Sequence, residues 1–444
     1  MTGLASRLLI VVTLAAWGGS VFAQTAETAQ TAPEDLAAMQ AEAESGDPKA
    51  QFLLGAYYSE GSGESQDYAK ARHWFQKAAD QGDATAQYRL GQLYFDGDGG
   101  PVDSARGEAL MSAAAEQGFV RAQVDLAFRY RDADQLAVDY AKSLRWFTAA
   151  AAQGDPKGQL GLGYAYDRGL GVAEDEAKAF PLYLKAAEQG QVDAQFDVGY
   201  FYDISRGGVE ADCVNAEKWY RRAADQGYMN AMFALGWLVQ KCGHPEQKIE
   251  WWRKAAEHGD GKACHNLGIM YGDGDGVPQD RQEAFKWFMK GAEIGNAGAQ
   301  GAVGSAYANG RGVATNYEQA AKWLALSAAK RDRGGLCGLG YLYDMGWGVP
   351  HDEPEALRLF LESANLGYGQ AQFNLGVYYR DGKGTEADPL ASYFWFSIAV
   401  REHFPQAQDR ADKMRKLLTP AQIAEGERRL AQWKPAPAPE YELR

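Results

Sequence analysis

Small, apolar and aromatic residues recur along the chain at helical spacing. The cassette reads Ala-x-x-x-Leu-Gly-x-x-Tyr, then a glycine-punctuated turn, then Ala-x-x-Trp-x-x-x-Ala-Ala-x-x-Gly. Its opening small residue falls at Ala50, Ala86, Ala122, Gly158, Ala194, Ala231, Ala263, Ala299, Gly335, Ala371 and Ala407. The period is therefore 36 residues, broken only by intervals of 37 and 32 around the sixth repeat. Ala, Leu and Tyr at i, i+4 and i+8 mark one stripe of a first helix, and the glycine beside the leucine allows a neighbour to approach closely. In the second half, a small residue, a Trp and an alanine pair (Ala71, Trp74, Ala78, Ala79) trace the stripe of a second helix, so that large packs into small across a hairpin. Gly82, Gly118, Gly154, Gly190, Gly227, Gly259, Gly295 and Gly367 suit the left-handed position that ends a helix, and Asp83, Asp155, Asp260 or Asn296 then caps the next one. A fixed period of this size predicts stacked helical hairpins in which each repeat packs only on its neighbours.

Ten repeats keep Leu or Val at the fifth position; Ala127 is the one departure from the following Gly, and Val239 the one departure from the Tyr. These residues resemble the Sel-1-like repeat family, a slightly longer relative of the tetratricopeptide repeat. The resemblance runs from Ala50 almost to the C-terminus. It implies an all-α, right-handed α/α solenoid of about ten helix-turn-helix repeats over residues 47–404. It also implies scaffolding in envelope assembly, restraint of a membrane-bound sensor, or contact with host proteins. Residues 34–46 read as an N-terminal capping helix and residues 405–433 as C-terminal capping helices, with Thr419 as an N-cap before Pro420. The Pro-rich end, residues 434–444, is expected to be unpacked.

Residues 1–23 combine one basic residue, Arg7, with an apolar run and Val21-Phe22-Ala23, the pattern of a cleavable signal peptide. A Thr/Ala/Gln-rich leader over residues 24–33 is expected to be disordered. Without a cysteine in the signal there is no lipid attachment, so the mature chain is expected to be periplasmic or secreted and not inserted in a membrane. Loss of Arg7 takes the formal net charge of −14 one unit further negative, and no basic tract offsets it, which argues against nucleic acid and anionic lipid as partners.

Four cysteines in an exported chain raise the question of pairing. Cys213 lies near the start of the second helix of the fifth repeat and Cys242 near the end of the first helix of the sixth, at the same end of adjacent helices. That placement allows a bridge, where the sixth repeat has lost its Gly-x-Gly turn and is shortened; the alternative is four unpaired core thiols. Cys264 and Cys337 lie two repeats apart and are expected to be free and buried.

Chemistry-bearing patterns are weak. Gly-x-Gly joins two helices rather than following a strand, and the Asp-Gly-Asp-Gly turns lack the acidic twelfth ligand of a calcium loop. The six histidines have no ligand or triad spacing, so no metal, cofactor or catalytic residue is expected. Ser327-Ala-Ala-Lys330 matches the nucleophile motif of penicillin-interacting enzymes, but its companion motifs are absent and Ser327 falls on a helix-packing position. The residue after the first-helix glycine is more informative, because in tetratricopeptide relatives it faces the concave groove. Four consecutive repeats place an aromatic there, Phe128, Tyr164, Tyr200 and Trp237, with Arg131, Arg168, Asp132, Asp167 and Asp203 one turn further on. Exposed aromatics beside arginine are the material of protein-binding hot spots; packed between adjacent first helices, the same rings would be core. The reading is an exported, non-enzymatic adaptor for an envelope or host protein or peptide. A β-lactam-binding or hydrolase-like protein and a polysaccharide-binding scaffold for exopolymer export are the alternatives.

Overall fold

A computed structural model describes residues 33–61 and 66–437, so the signal peptide and nearly all of the leader lie outside the described residues. Twenty-three α-helices, most of thirteen residues, follow one another, and among the described residues there is no strand. They are α1 (Pro33–Glu44), α2 (Pro48–Glu60), α3 (Tyr68–Asp80), α4 (Ala84–Asp96), α5 (Ser104–Glu116), α6 (Val120–Asp132), α7 (Tyr140–Ala152), α8 (Pro156–Arg168), α9 (Glu176–Glu188), α10 (Val192–Ile204), α11 (Cys213–Asp225) and α12 (Met229–Lys241). A 3-10 turn, Pro245–Gln247, leads into α13 (Lys248–Glu257), α14 (Gly261–Asp273), α15 (Arg281–Ile294), α16 (Ala297–Asn309), α17 (Tyr317–Ala329) and α18 (Arg333–Met345). The last are α19 (Glu353–Asn365), α20 (Gly369–Asp381), α21 (Pro389–Arg401), α22 (Ala407–Arg415) and α23 (Pro420–Gln432). The chain forms two compact units: residues up to 165 with 170–173, and residues 166–169 with 174 onward.

The first unit stacks the hairpins α2/α3, α4/α5 and α6/α7. Phe75 and Leu90 are central to its core. The second unit stacks α10/α11 through α20/α21, and its largest core cluster gathers Tyr220, Leu235, Trp251, Trp252 and Leu267. In both units several first helices start on an aspartate or asparagine that accepts a backbone N–H, as Asp83 does from Ala86 and Asn296 from Ala299, whereas those preceded by Phe119, Gln191, Tyr228 and Tyr368 have no side-chain cap. The helix-ending glycines, such as Gly82 (φ +87°), adopt the left-handed conformation that a side chain would resist. The turn inside the repeats, the sixth excepted, closes when the N-cap of the second helix donates its N–H to the repeat tyrosine's carbonyl, for example Asp280 to Tyr271 at 2.8 Å.

The packing across the hairpin differs from the sequence reading by one residue. The side chain that fills the glycine notch is the one after the Trp position: a Cβ on Gly55 would come within 2.6 Å of Phe75, and one on Gly376 within 2.5 Å of Phe396. Trp146 and Trp219 are buried as well, but lie to the side of the notch, with Arg145 and Arg222 over their rings. A second device went unread. The glutamine after the opening alanine is buried and donates to the last turn of the preceding helix, as Gln123 does to the Ala115 carbonyl. Gln153, from the next second helix, then donates to Gln123 Oε1 at 2.9 Å. The repeating Ala-Gln and Gln-Gly dipeptides were the available signal.

Thr419 caps α23 through a reciprocal capping box with Gln422. The Pro-rich end corrects an expectation at one residue: Lys434, Pro435 and Pro437 are exposed, but the Ala436 N–H donates to the Asn365 carbonyl at 2.7 Å and Ala436 lies against the cluster around Leu366. Proline-rich backbone is extended, with free N–H groups only at its alanines, so Ala436 docks by the one donor that proline leaves it. Among the described residues no helix is long and apolar enough to cross a membrane.

Candidate binding surface and tethers

The notch glycine faces its own hairpin, so the next residue, about 100° round the helix, points away from it. In the first unit Tyr164 is exposed, whereas Phe128 is half-buried and stands edge-on to Phe147 at 5.0 Å. The Arg131 guanidinium lies 4.7 Å from the Phe128 ring and 5.4 Å from Tyr164 while pairing with Asp132 at 2.6 Å. Phe128 and Arg131 are thus largely engaged within the fold, and Tyr164 is the accessible member of this group.

In the second unit Tyr200, Trp237, Ile269 and Tyr341 occupy the equivalent register on α10, α12, α14 and α18 and are 38–48% exposed. Their apolar area is presented to solvent rather than consumed between helices. Trp237 is held in place by Trp252, edge-on at 5.0 Å, and by the buried Lys248, whose ammonium lies 5.5 Å above one ring and 4.8 Å above the other. Trp252 in turn donates its indole N–H to the Phe233 carbonyl.

Carboxylates crowd the neighbourhood of Tyr200. Asp203 accepts from Lys241 at 2.7 Å, and Arg168 pairs with Asp167 at 3.5 Å. Burial, reinforced by Asp167 and Asp193, pushes the Asp197 carboxyl up to about 7. Arg206 joins Asp167 at 3.1 Å to Glu176 at 2.7 Å. Rigid aromatic area beside partly desolvated carboxylates suits a partner segment that offers apolar and cationic side chains.

Ser327 is fully buried; its hydroxyl donates to the Ala297 carbonyl at 2.9 Å and lies 3.0 Å from Asp332 Oδ1. That hydroxyl joins helices and is closed to a substrate. Among the described residues no three His, Cys, Asp or Glu side chains are grouped to hold a metal. Cys213 and Cys242 are bridged, with Cα atoms 6.0 Å apart. Cys264 and Cys337 are free and buried, and burial pushes their thiols up to about 11 and about 12.

No curated protein matches the chain significantly. The structure is similar to that of a protective antigen present in uropathogenic Escherichia coli strains and displaying an SLR fold: 31% identity over 90% of this chain and 86% of that one, TM-score 0.67. It is also similar to a Sel1 repeat protein from Oxalobacter formigenes, with 32% identity over 67% of this chain and 88% of that one, TM-score 0.59. The Sel1 repeat model matches residues 48–83, 84–119, 120–155, 156–191, 192–228, 249–260, 261–296, 297–332, 335–368 and 369–403. Its shortest match falls in the repeat that the disulfide joins. With ten matched stretches covering most of its length and the all-α hairpin stack that they specify, the chain belongs to the Sel1 repeat family.

Proposed function

We propose that this protein is an exported, non-enzymatic adaptor that binds an envelope or host protein through the exposed first-helix row of its second unit. The observation that carries the reading is the register of Tyr200, Trp237, Ile269 and Tyr341: large apolar side chains, each left exposed, at one position in four of five successive repeats, Ser305 being the exception. Fixed aromatic area of this kind costs little conformational entropy to bury against a partner. The signal-peptide pattern of residues 1–23 supports export, and the disulfide suits an oxidising compartment. The buried, hydrogen-bonded hydroxyl of Ser327 argues against an acyl-enzyme, so a fluorescent penicillin is expected to leave the protein unlabelled.

The test is capture of partners from envelope extracts by the tagged mature chain, compared with a Tyr200→Ala, Trp237→Ala double variant. A single protein captured by the parent and lost with the variant, at unchanged helicity, is the expected result. An empty catch, or one that the double variant retains, would overturn the reading.

A further inference from the structure

One junction in the second unit brings like charges together where several other junctions pair opposite charges or use none. Three places meet where the turn of one repeat docks on the preceding hairpin: the residue nine after a repeat's opening small residue, the first residue of its second helix, and the residue twelve after the next repeat's opening small residue. In one case these are Asp167, Glu176 and Arg206, and the arginine pairs with both acids, at 3.1 and 2.7 Å. In another they are Asp344, Glu353 and Lys383; the lysine pairs with Asp344 at 3.0 Å, while Glu353 accepts the Gly384 N–H at 3.1 Å. Where the polarity is reversed, Lys248 on the helix start meets Asp275 on the turn at 3.3 Å. Where charge is dispensed with, Tyr317 and Trp347 stack at 4.8 Å.

At the junction of α14, α15 and α16 the three residues are Gly272, Arg281 and Arg311. Both acidic places are lost, one to a residue without a side chain and the other to a second arginine. Among the described residues neither guanidinium has a carboxylate within ion-pair distance, although Asp273 also lines the space. Turn docking still brings the arginines to one site, since Gly312 sits directly against the Arg281 carbonyl. Arg281 moreover occupies the first turn of α15, where the helix dipole favours an anion and where Glu176 and Glu353 stand in the paired repeats. The junction borders a cavity of about 350 Å³, walled in part by Ile269, Phe285 and Phe288.

We propose that this cavity binds the carboxylate of an acidic peptide residue, with Arg281 and Arg311 as its cationic ligands and an adjoining apolar side chain against Phe285 and Phe288. Carboxylate is the matching anion because carboxylates occupy the two vacated places in the sister repeats, and guanidinium receives them in a planar, two-point geometry. That the carboxylate belongs to a peptide rests on the adaptor reading above.

The experiment is calorimetric titration of the mature chain with N-acetyl-Ala-Ala-Phe-Glu, with the amidated Phe-Gln counterpart, and with glutarate. The acid peptide is expected to bind saturably below about 1 mM at low salt, at least about tenfold more tightly than either comparison compound, and more weakly as salt rises. Gly272→Asp restores the missing acid at a position where a Cβ would make only ordinary contact, 3.7 Å from Ala284 Cβ. It is expected to abolish peptide binding while raising the melting temperature, whereas Arg311→Ala should lower affinity at least about tenfold. Acid and amide peptides binding alike, no saturation by about 1 mM, or a Gly272→Asp chain that binds like the parent would each overturn the proposal. Glutarate binding as well as the peptide would overturn the peptide assignment. Partner capture separates the two readings: a partner kept by Gly272→Asp but lost with Tyr200→Ala, Trp237→Ala would end this proposal and leave the adaptor reading standing.

Discussion

Adjacent repeats of the second unit hold their turns to the preceding helix by opposite means. In the fifth repeat the turn after α10 docks on the start of α9 without a covalent link. Gly207 lies so close to the Glu176 carbonyl that a Cβ would approach it to 2.9 Å, its N–H donates to Glu176 Oε2 at 3.1 Å, and Arg206 pairs with Glu176 Oε1 at 2.7 Å. In the sixth repeat the turn after α12 has no such glycine pair and no repeat tyrosine, and Cys242 is joined by a disulfide to Cys213, the first residue of α11. Cys213 is the structural counterpart of Glu176. The comparison teaches that the repeat conserves a tether between one turn and one helix start, not the residues that make it. It also separates their sensitivities: the first tether responds to salt and pH, the second to reductant.

The largest effect should come from removing the covalent tether. Cys213→Ser with Cys242→Ser opens a 29-residue separation and is expected to cost about 3 to 4 kcal/mol in urea unfolding. Dithiothreitol should reproduce that loss in the parent and do nothing to the variant. A loss below about 1 kcal/mol would mean that the shortened repeat is held by packing alone, and the equivalence with Glu176 would fail.

Next in size is Gly207→Val. The substitution puts a branched side chain at φ +64° and into the Glu176 carbonyl, an expected loss of about 2 to 3 kcal/mol. Hydrogen exchange should quicken in α9 and α10 while α12 and α13 stay protected. Uniform loss of protection would show that the two repeats do not open separately.

How far this was legible follows from what each feature asks of the sequence. The helices, their caps and the left-handed glycines recur at fixed places, and local physics sets them, so periodicity was enough. Which aromatic enters the glycine notch was misread by one residue, because Trp74 and Phe75 both lie near the apolar stripe and only backbone approach at Gly55 distinguishes them. Exposure of Tyr200 and Trp237 depends on how closely neighbouring first helices approach, which no single repeat encodes. The tether triads were missed altogether, since their members come from two repeats and their chemistry changes sign from one junction to the next. The bridge itself was accessible because cysteines are few and the 32-residue interval marked the irregular repeat.

A gentler probe of the fifth-repeat tether is Glu176→Gln, which keeps an acceptor for the Gly207 N–H and removes the charge that pairs with Arg206. The ion pair is partly exposed, so the expected cost is about 1 kcal/mol at low salt, shrinking towards zero at high salt. The disulfide variant should show no comparable salt dependence. A salt-independent loss would assign the tether to the backbone approach of Gly207 instead.

The most selective test is pH. Asp197, on α10, faces Asp167 and Asp193 as well as Arg168 and Arg206; burial first, then the two carboxylates, lift its carboxyl from 3.8 to about 7, and the arginines only partly oppose this. Because the folded state prefers the protonated form, its contribution to stability is fully present below the unfolded value near 3.8 and is lost as pH rises through about 7. Asp197→Asn keeps the side-chain shape, cannot ionise, and should flatten this part of the pH profile, with the variant gaining on the parent between pH 5 and pH 8. Since Asp197 acts on the Arg206 network and not on the disulfide, the same flattening should persist when Cys213 and Cys242 are replaced. If the two changes prove non-additive, the tethers of adjacent repeats share one cooperative element and the contrast between them is one of chemistry alone.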